Sequence, residues 1–142
     1  MSQSITGTWN LISFIFQAKD GAFFYPYGEN ADGVLHYDQK GHMSAIISRN
    51  DRPRLSREDF MEIPDEEKIQ LSKGFVAYSG TYEVQEDRIV HHVKISFIPN
   101  WVGTDLERYF RFSGGNLILS TPPSVLRGKE FTGELTWEKI SG

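Results

Sequence analysis

Apolar and polar positions alternate through most of the chain. Ile89, His91, Val93, Ile95 and Phe97 fall on one side of a two-residue period; Val90, His92, Lys94 and Ser96 fall on the other. Such alternation is expected of a strand with one face in a core. The first set is apolar apart from His91, so it is predicted to point inward. Similar β-branched and aromatic runs, separated by Gly, Asn and Asp, predict strands at 6–18, 33–38, 42–49, 79–85, 89–97, 104–113, 116–121 and 131–139. One segment departs from this period. In "SREDFMEIPDEEKIQLSKGFVAY" (56–78), Ile69 with Val76, and Leu71 with Phe75 and Tyr78, recur at helical spacing. Pro64 suits a first helical position, and Asp65, Glu66 and Glu67 suit the positive end of a helix dipole. A helical segment at about 56–78 is predicted.

The turns set the strand register. Gly114-Gly115 is a good two-residue hairpin loop, because both positions accept positive φ. It would pair Phe112 with Leu117, Phe110 with Leu119 and Arg108 with Thr121. Glu86-Asp87 would pair Val84 with Ile89 and Tyr82 with His91. Gln39-Lys40-Gly41 fits a three-residue loop pairing Tyr37 with Met43 and Leu35 with Ala45. In each hairpin the apolar faces match, whereas a slip of one residue would oppose them. The three tight turns then fall at one end. The long connections 19–32, 50–78, 98–103 and 122–130 fall at the other. The expected fold is all-β: a closed up-and-down antiparallel barrel of about eight strands, with a sealed floor and an ornamented mouth. Closure leaves no open sheet edge. A chain of 142 residues without a linker or repeat suits a single domain spanning 1–142.

Composition narrows the function classes. The formal charge of −4 and the absence of a basic block argue against nucleic-acid binding. With no cysteine, disulfides and thiolate sites are excluded. The opening "MSQSITGTWN" has no signal-peptide pattern and no apolar run could span a bilayer, so a cytoplasmic location without membrane contact is expected. A homo-oligomer stays open. The 10 Phe, 6 Tyr and 3 Trp are many for this length. They suit a core, and they also suit the wall of a ligand cavity.

The residues resemble a known group. "GTW" at 7–9 is similar to the Gly-x-Trp signature of lipocalins. The closer resemblance is to the bacterial and fungal lipocalin-like domain family. It rests on "GVLHYDQKGHMSAII", the Pro-Asp-Glu-Glu-Lys helix, "AYSGTYEV", "HHVKISFIPNWVGTD" and "LILSTPP", and it covers nearly the whole chain. The resemblance implies a lipocalin-like barrel and small-molecule binding, with some members in natural-product pathways. Two features differ from the wider lipocalins. The helix falls between the third and fourth strands, and no arginine to pack on the signature Trp is evident in "ELTWEKI".

Candidate chemistry follows from the inward faces. Leu106, Arg108, Phe110 and Phe112 form one inward set; Tyr82 and Val84 lie on the strand before. Tyr82 would sit across from His91 and Arg108 diagonally from it, within reach of long side chains. Thr121 would oppose Arg108, and Ser13 and Tyr37 would add to the cluster. Arg108 is the informative member: it keeps its proton, and the inward set contains no carboxylate. It needs water, carbonyl groups or an anionic or enolic ligand oxygen. The candidate ligand-binding residues are Tyr37, Tyr82, His91, Trp101, Arg108, Phe110 and Thr121. If the site is catalytic, His91 is the acid–base residue, Tyr82 orients it or donates a proton, and Arg108 stabilises an oxyanion. Taken singly, each residue, His91 included, is better explained by a satisfied hydrogen-bond network; for the cluster as a whole ligand contact is slightly ahead, because its charge is unbalanced and faces an aromatic-lined interior. Trp101 and the Phe23–Tyr27 aromatics would pack as a cap or form an entrance.

No metal site is expected. Adjacent strand histidines such as His91 and His92 point to opposite faces. No cofactor fingerprint is visible either. The main expectation is a barrel holding a hydrophobic, oxygen-bearing small molecule. The alternatives are a cofactor-independent isomerase, cyclase or dehydratase of natural-product biosynthesis, and a structural barrel filled by its own side chains.

Overall fold

The computed structural model describes residues 4–142. Its strands are β1 (Gly7–Gln17), β2 (Phe23–Phe24), β3 (Asp32–Tyr37), β4 (His42–Ser48), β5 (Phe75–Val84), β6 (Arg88–Ser96), β7 (Asp105–Ser113), β8 (Asn116–Ser120), β9 (Ser124–Leu126) and β10 (Lys129–Ser141). Each neighbour pairs antiparallel, in the order β1-β3-β4-β5-β6-β7-β8-β10. β10 then pairs with β1 from Thr8↔Ser141 to Gln17↔Thr132, which closes an eight-stranded barrel. β2 and β9 are short additions on the mouth ends of β1 and β10, within segments expected to be loops. No helix among the described residues is long and apolar enough to cross a membrane.

The tight turns are at one end, with the expected registers. Phe112↔Leu117 and Phe110↔Leu119 flank Gly114-Gly115, whose φ values of 59° and 86° lie where glycine is favoured. Val84↔Ile89 and Tyr82↔His91 flank Glu86-Asp87, and Tyr37↔Met43 and Leu35↔Ala45 flank the third turn. This floor holds the most buried side chains, Trp9, Trp137, Tyr37, Leu35, Ile89 and Leu117. The Trp9 indole N–H donates to the Ile5 carbonyl at 2.7 Å. Lys139 packs on that Trp instead of an arginine, its Nζ 5.6 Å from a ring centroid.

Three expectations are corrected. The helix is α1 (Asp65–Leu71), preceded by a single 3₁₀ turn at Phe60–Glu62. Pro64 is its N-cap rather than its first residue, and the acidic first turn is as expected. Residues 75–78 belong to β5, because their side chains alternate across the sheet and their backbone pairs with β4 through Ala45↔Tyr78. The second correction concerns β6. Ile95 and Phe97 face out, at 71% and 46% exposed. The register jumps from Gly80↔Val93 to Ser79↔Ile95, so Lys94 is an extra residue and the inward phase changes. Gly80 allows this close approach, since a Cβ there would run into the His92 carbonyl. Third, β1 carries a similar shift: Leu11 pairs with Trp137 and Ser13 with Thr136, leaving Ile12 as the extra residue. Beyond it Phe14 and Phe16, rather than Ser13, join the cavity wall.

Candidate functional site

The barrel encloses a cavity of about 290 Å³. Trp137 is in its wall toward the floor, and Leu35, Ala45, Leu119 and Leu135 form its middle. Toward the mouth the wall is made by Phe14, Phe16, Tyr27, Ile98 and Trp101. The polar wall residues include Tyr78, His91, Arg108 and Thr121. The two bulges place this wall: the first swings Phe14 and Phe16 inward, and the second turns Ile98 inward in place of Phe97.

His91 is the core's buried polar residue, at 1% exposed. Both ring nitrogens are engaged. The Tyr37 hydroxyl lies 2.6 Å from Nε2 and the Tyr78 hydroxyl 2.7 Å from Nδ1. Burial, reinforced by the positive charge of Arg108 and then by His92, lowers the His91 pKa from 6.5 to about 3. The imidazole is therefore neutral at pH 7. Burial also raises the phenol pKa values of Tyr37 and Tyr78, while Arg108 acts on both in the opposite sense. Neighbouring His92 is on the outer face, 2.7 Å from Asp105 and 3.6 Å from Glu83. Its pKa is raised, chiefly by the hydrogen bond to Asp105.

Arg108 is half-buried and takes part in no ion pair among the described residues; its guanidinium donates to the Glu107 carbonyl at 2.9 Å. Register places it opposite Ile89, and so diagonally from His91. Thr121 uses its hydroxyl oxygen to accept from Gly133 N–H at 2.8 Å. Trp101 sits in a 3₁₀ turn (Pro99–Trp101) at the mouth, edge-on to Tyr78 with centroids 5.6 Å apart. No three His, Asp or Glu side chains group as a metal site among the described residues.

The cavity thus brings together His91, Trp101, Arg108 and Thr121. Tyr37, Tyr82 and Phe110 are placed outside its wall. Tyr37 reaches the site through His91. Tyr82 is opposite His91 in register, but its hydroxyl donates to the Asp38 carbonyl at 2.6 Å, and its ring packs against Tyr37. Phe110 packs with Phe112 in the core. Sequence reasoning did not identify Tyr78, Trp137, Phe14 or Phe16 as wall residues. A signal for Tyr78 was present: Val76, Tyr78, Gly80 and Tyr82 follow a two-residue period. The helical spacing of the preceding residues obscured it.

Eight strands closed round one aromatic-walled cavity define a lipocalin-like barrel. The chain belongs to the lipocalin-like domain family, whose model matches residues 6–140. It is also 36% identical over 107 residues to the 4'-hydroxy-3'-methoxypropiophenone carrier protein of Aspergillus oryzae, spanning 69% of this chain and 96% of that protein. No solved structure matches the chain.

Proposed function

We propose that the barrel binds a small, largely apolar, oxygen-bearing molecule in its cavity and sets an oxygen of that ligand at Arg108. The carrying observation is a guanidinium with no carboxylate partner among the described residues, in the wall of an otherwise aromatic and aliphatic cavity. A guanidinium carries five N–H donors, and the Glu107 carbonyl and the Tyr78 hydroxyl engage only part of them, which leaves donors for a ligand oxygen. The volume of about 290 Å³ is at the lower end of the range for ligand pockets, roughly 300–1,000 Å³. It suits a substituted aromatic ring better than a long lipid. The carrier named among the relatives is described by an aryl ketone of that size class, which supports the reading. His91 has both nitrogens engaged by tyrosines and a depressed pKa. That favours binding over acid–base turnover by His91, and the cavity itself favours binding over a filled barrel.

Calorimetric titration with 4'-hydroxy-3'-methoxypropiophenone and with propylbenzene tests the reading. The ketone is expected to bind saturably, one to one, and more tightly than the hydrocarbon. Arg108→Leu is expected to weaken the ketone about tenfold or more, the scale of a hydrogen bond to a charged group. Absence of saturable ketone binding, or an unchanged ketone affinity in Arg108→Leu, overturns it.

A further inference from the structure

The hydrogen bonds around His91 have a direction, and that direction reaches the cavity. Tyr37 is 1% exposed, and its hydroxyl has one side-chain partner, His91 Nε2 at 2.6 Å. A buried O–H left without an acceptor is destabilising, so Tyr37 donates and Nε2 accepts. Neutral imidazole carries one proton, which must then be on Nδ1. Nδ1–H donates to the Tyr78 hydroxyl oxygen at 2.7 Å. Tyr78 is left with its own O–H free, and Tyr78 is a wall residue of the cavity. Arg108 adds further N–H donors to the same wall. Trp137, also in the wall, has a buried indole N–H with no acceptor among the described residues. No Asp or Glu side chain lines this cavity.

We propose that Tyr37, His91 and Tyr78 form a directed relay that fixes Tyr78 as a hydrogen-bond donor, so that Tyr78 and Arg108 together clamp an anionic oxygen, that of an ionised phenol or enol. The inference rests on the small-molecule reading above and makes it more specific. Tyr78 becomes a specificity-determining residue in contact with ligand. Tyr37, one step removed from the cavity, is a positioning residue. A neutral hydroxyl would set its own proton against the donors; its ionised form accepts from both. On binding from neutral solution, the phenol's proton leaves to the buffer.

The test uses two matched probes, 4-nitrophenol, whose ionised form is yellow, and 4-nitroanisole, which cannot ionise. Bound 4-nitrophenol is expected to titrate at least one pH unit below the free probe, a preference of about tenfold for the ionised form. Tyr78→Phe should remove most of that preference and weaken 4-nitroanisole much less than ionised 4-nitrophenol. Tyr37→Phe should reduce the preference as well, although Tyr37 does not line the cavity. A bound probe that titrates at or above the free one overturns the clamp. Tyr37→Phe weakening both probes equally overturns the relay and makes Tyr37 purely structural. If neither probe binds while the ketone of the preceding test does, the clamp alone fails; if none of the three binds, the binding reading fails with it. Tyr78→Phe keeps the test valid should Tyr37→Phe fold poorly.

Discussion

The floor and the mouth of this barrel are built differently from similar residues. At the floor, Trp9, Trp137 and Leu35 are each 1% exposed, and short turns hold the β3–β4 and β7–β8 hairpins in uninterrupted register. At the mouth, Phe23 is 56%, Met61 70% and Val125 68% exposed, and the connections are long. Aromatic residues here touch in a chain: Phe14–Phe16, Phe16–Phe24 and Phe24–Phe131, with centroids 5.3–5.4 Å apart. The floor removes apolar surface from water and supplies stability. The mouth leaves apolar surface in water. The polar relay lies between the two, anchored toward the floor at Tyr37 and reaching the cavity at Tyr78.

The comparison is most easily broken by truncating one aromatic at each end. Trp9→Ala should cost about 3–5 kcal/mol, through lost burial and the cavity left behind. Phe23→Ala should change stability by about 0.5 kcal/mol or less. Chemical denaturation of both variants checks this. Equal losses would show that the mouth is as integral to the fold as the floor.

Acid gives the next largest effect, and it acts on the relay. His91 has its folded pKa lowered to about 3 from 6.5. Its neighbours across the packing are Tyr37 on β3, Tyr78 on β5 and Arg108 on β7, with His92 beside it. None supplies a negative charge that would favour protonation. Above pH 6.5 both states are neutral at this site, and its contribution to stability is fully present. As pH falls below 6.5 the unfolded chain takes up a proton that the folded chain refuses. Stability should therefore fall by about 1.4 kcal/mol per pH unit, down to the folded pKa. His91→Gln, which keeps a donor and an acceptor for the two tyrosines, should flatten that slope. Denaturant midpoints between pH 7 and pH 5 measure it. An equal slope in His91→Gln would assign the acid sensitivity to other groups.

Legibility in the sequence follows the same division. The floor was readable because tight turns with glycine at the right positions fix register, and matched apolar faces confirm it. The placement of His91 inside and Arg108 diagonal to it depends only on that register and on alternation. The wall nearer the mouth was not readable by alternation, because the extra residues Ile12 and Lys94 each reverse inside and outside. A bulge has no strong residue signature; here its nearest trace is Gly80, which reads equally well as a weak strand position. Tyr78 was hidden for a different reason. Helical spacing in 69–78 competes with strand alternation in 75–84, and tertiary pairing with β4 decides for the strand. The hydrogen-bond partner of Tyr82 depended on side-chain reach beyond what register specifies: its opposition to His91 is as expected, yet the hydroxyl goes to Asp38.

Trp101 sharpens the comparison with the smallest effect on stability. It is half-buried, it belongs to the cavity wall, and its edge-on contact with Tyr78 joins it to the relay. Such an aromatic pair contributes about 0.5–1.5 kcal/mol beyond burial. Trp101→Ala should therefore destabilise far less than Trp9→Ala, by about 1–2 kcal/mol. Its effect on ligand exchange should be larger in proportion, because removing a wall residue at the entrance opens a path that the floor never provides. Stopped-flow displacement of bound 4'-hydroxy-3'-methoxypropiophenone should show release accelerated several-fold, with the association rate changed much less, as is usual for contact variants. If release is unchanged while stability falls as much as in Trp9→Ala, Trp101 is a core residue that happens to lie at the mouth, and the division between a stabilising floor and an exchanging mouth does not hold.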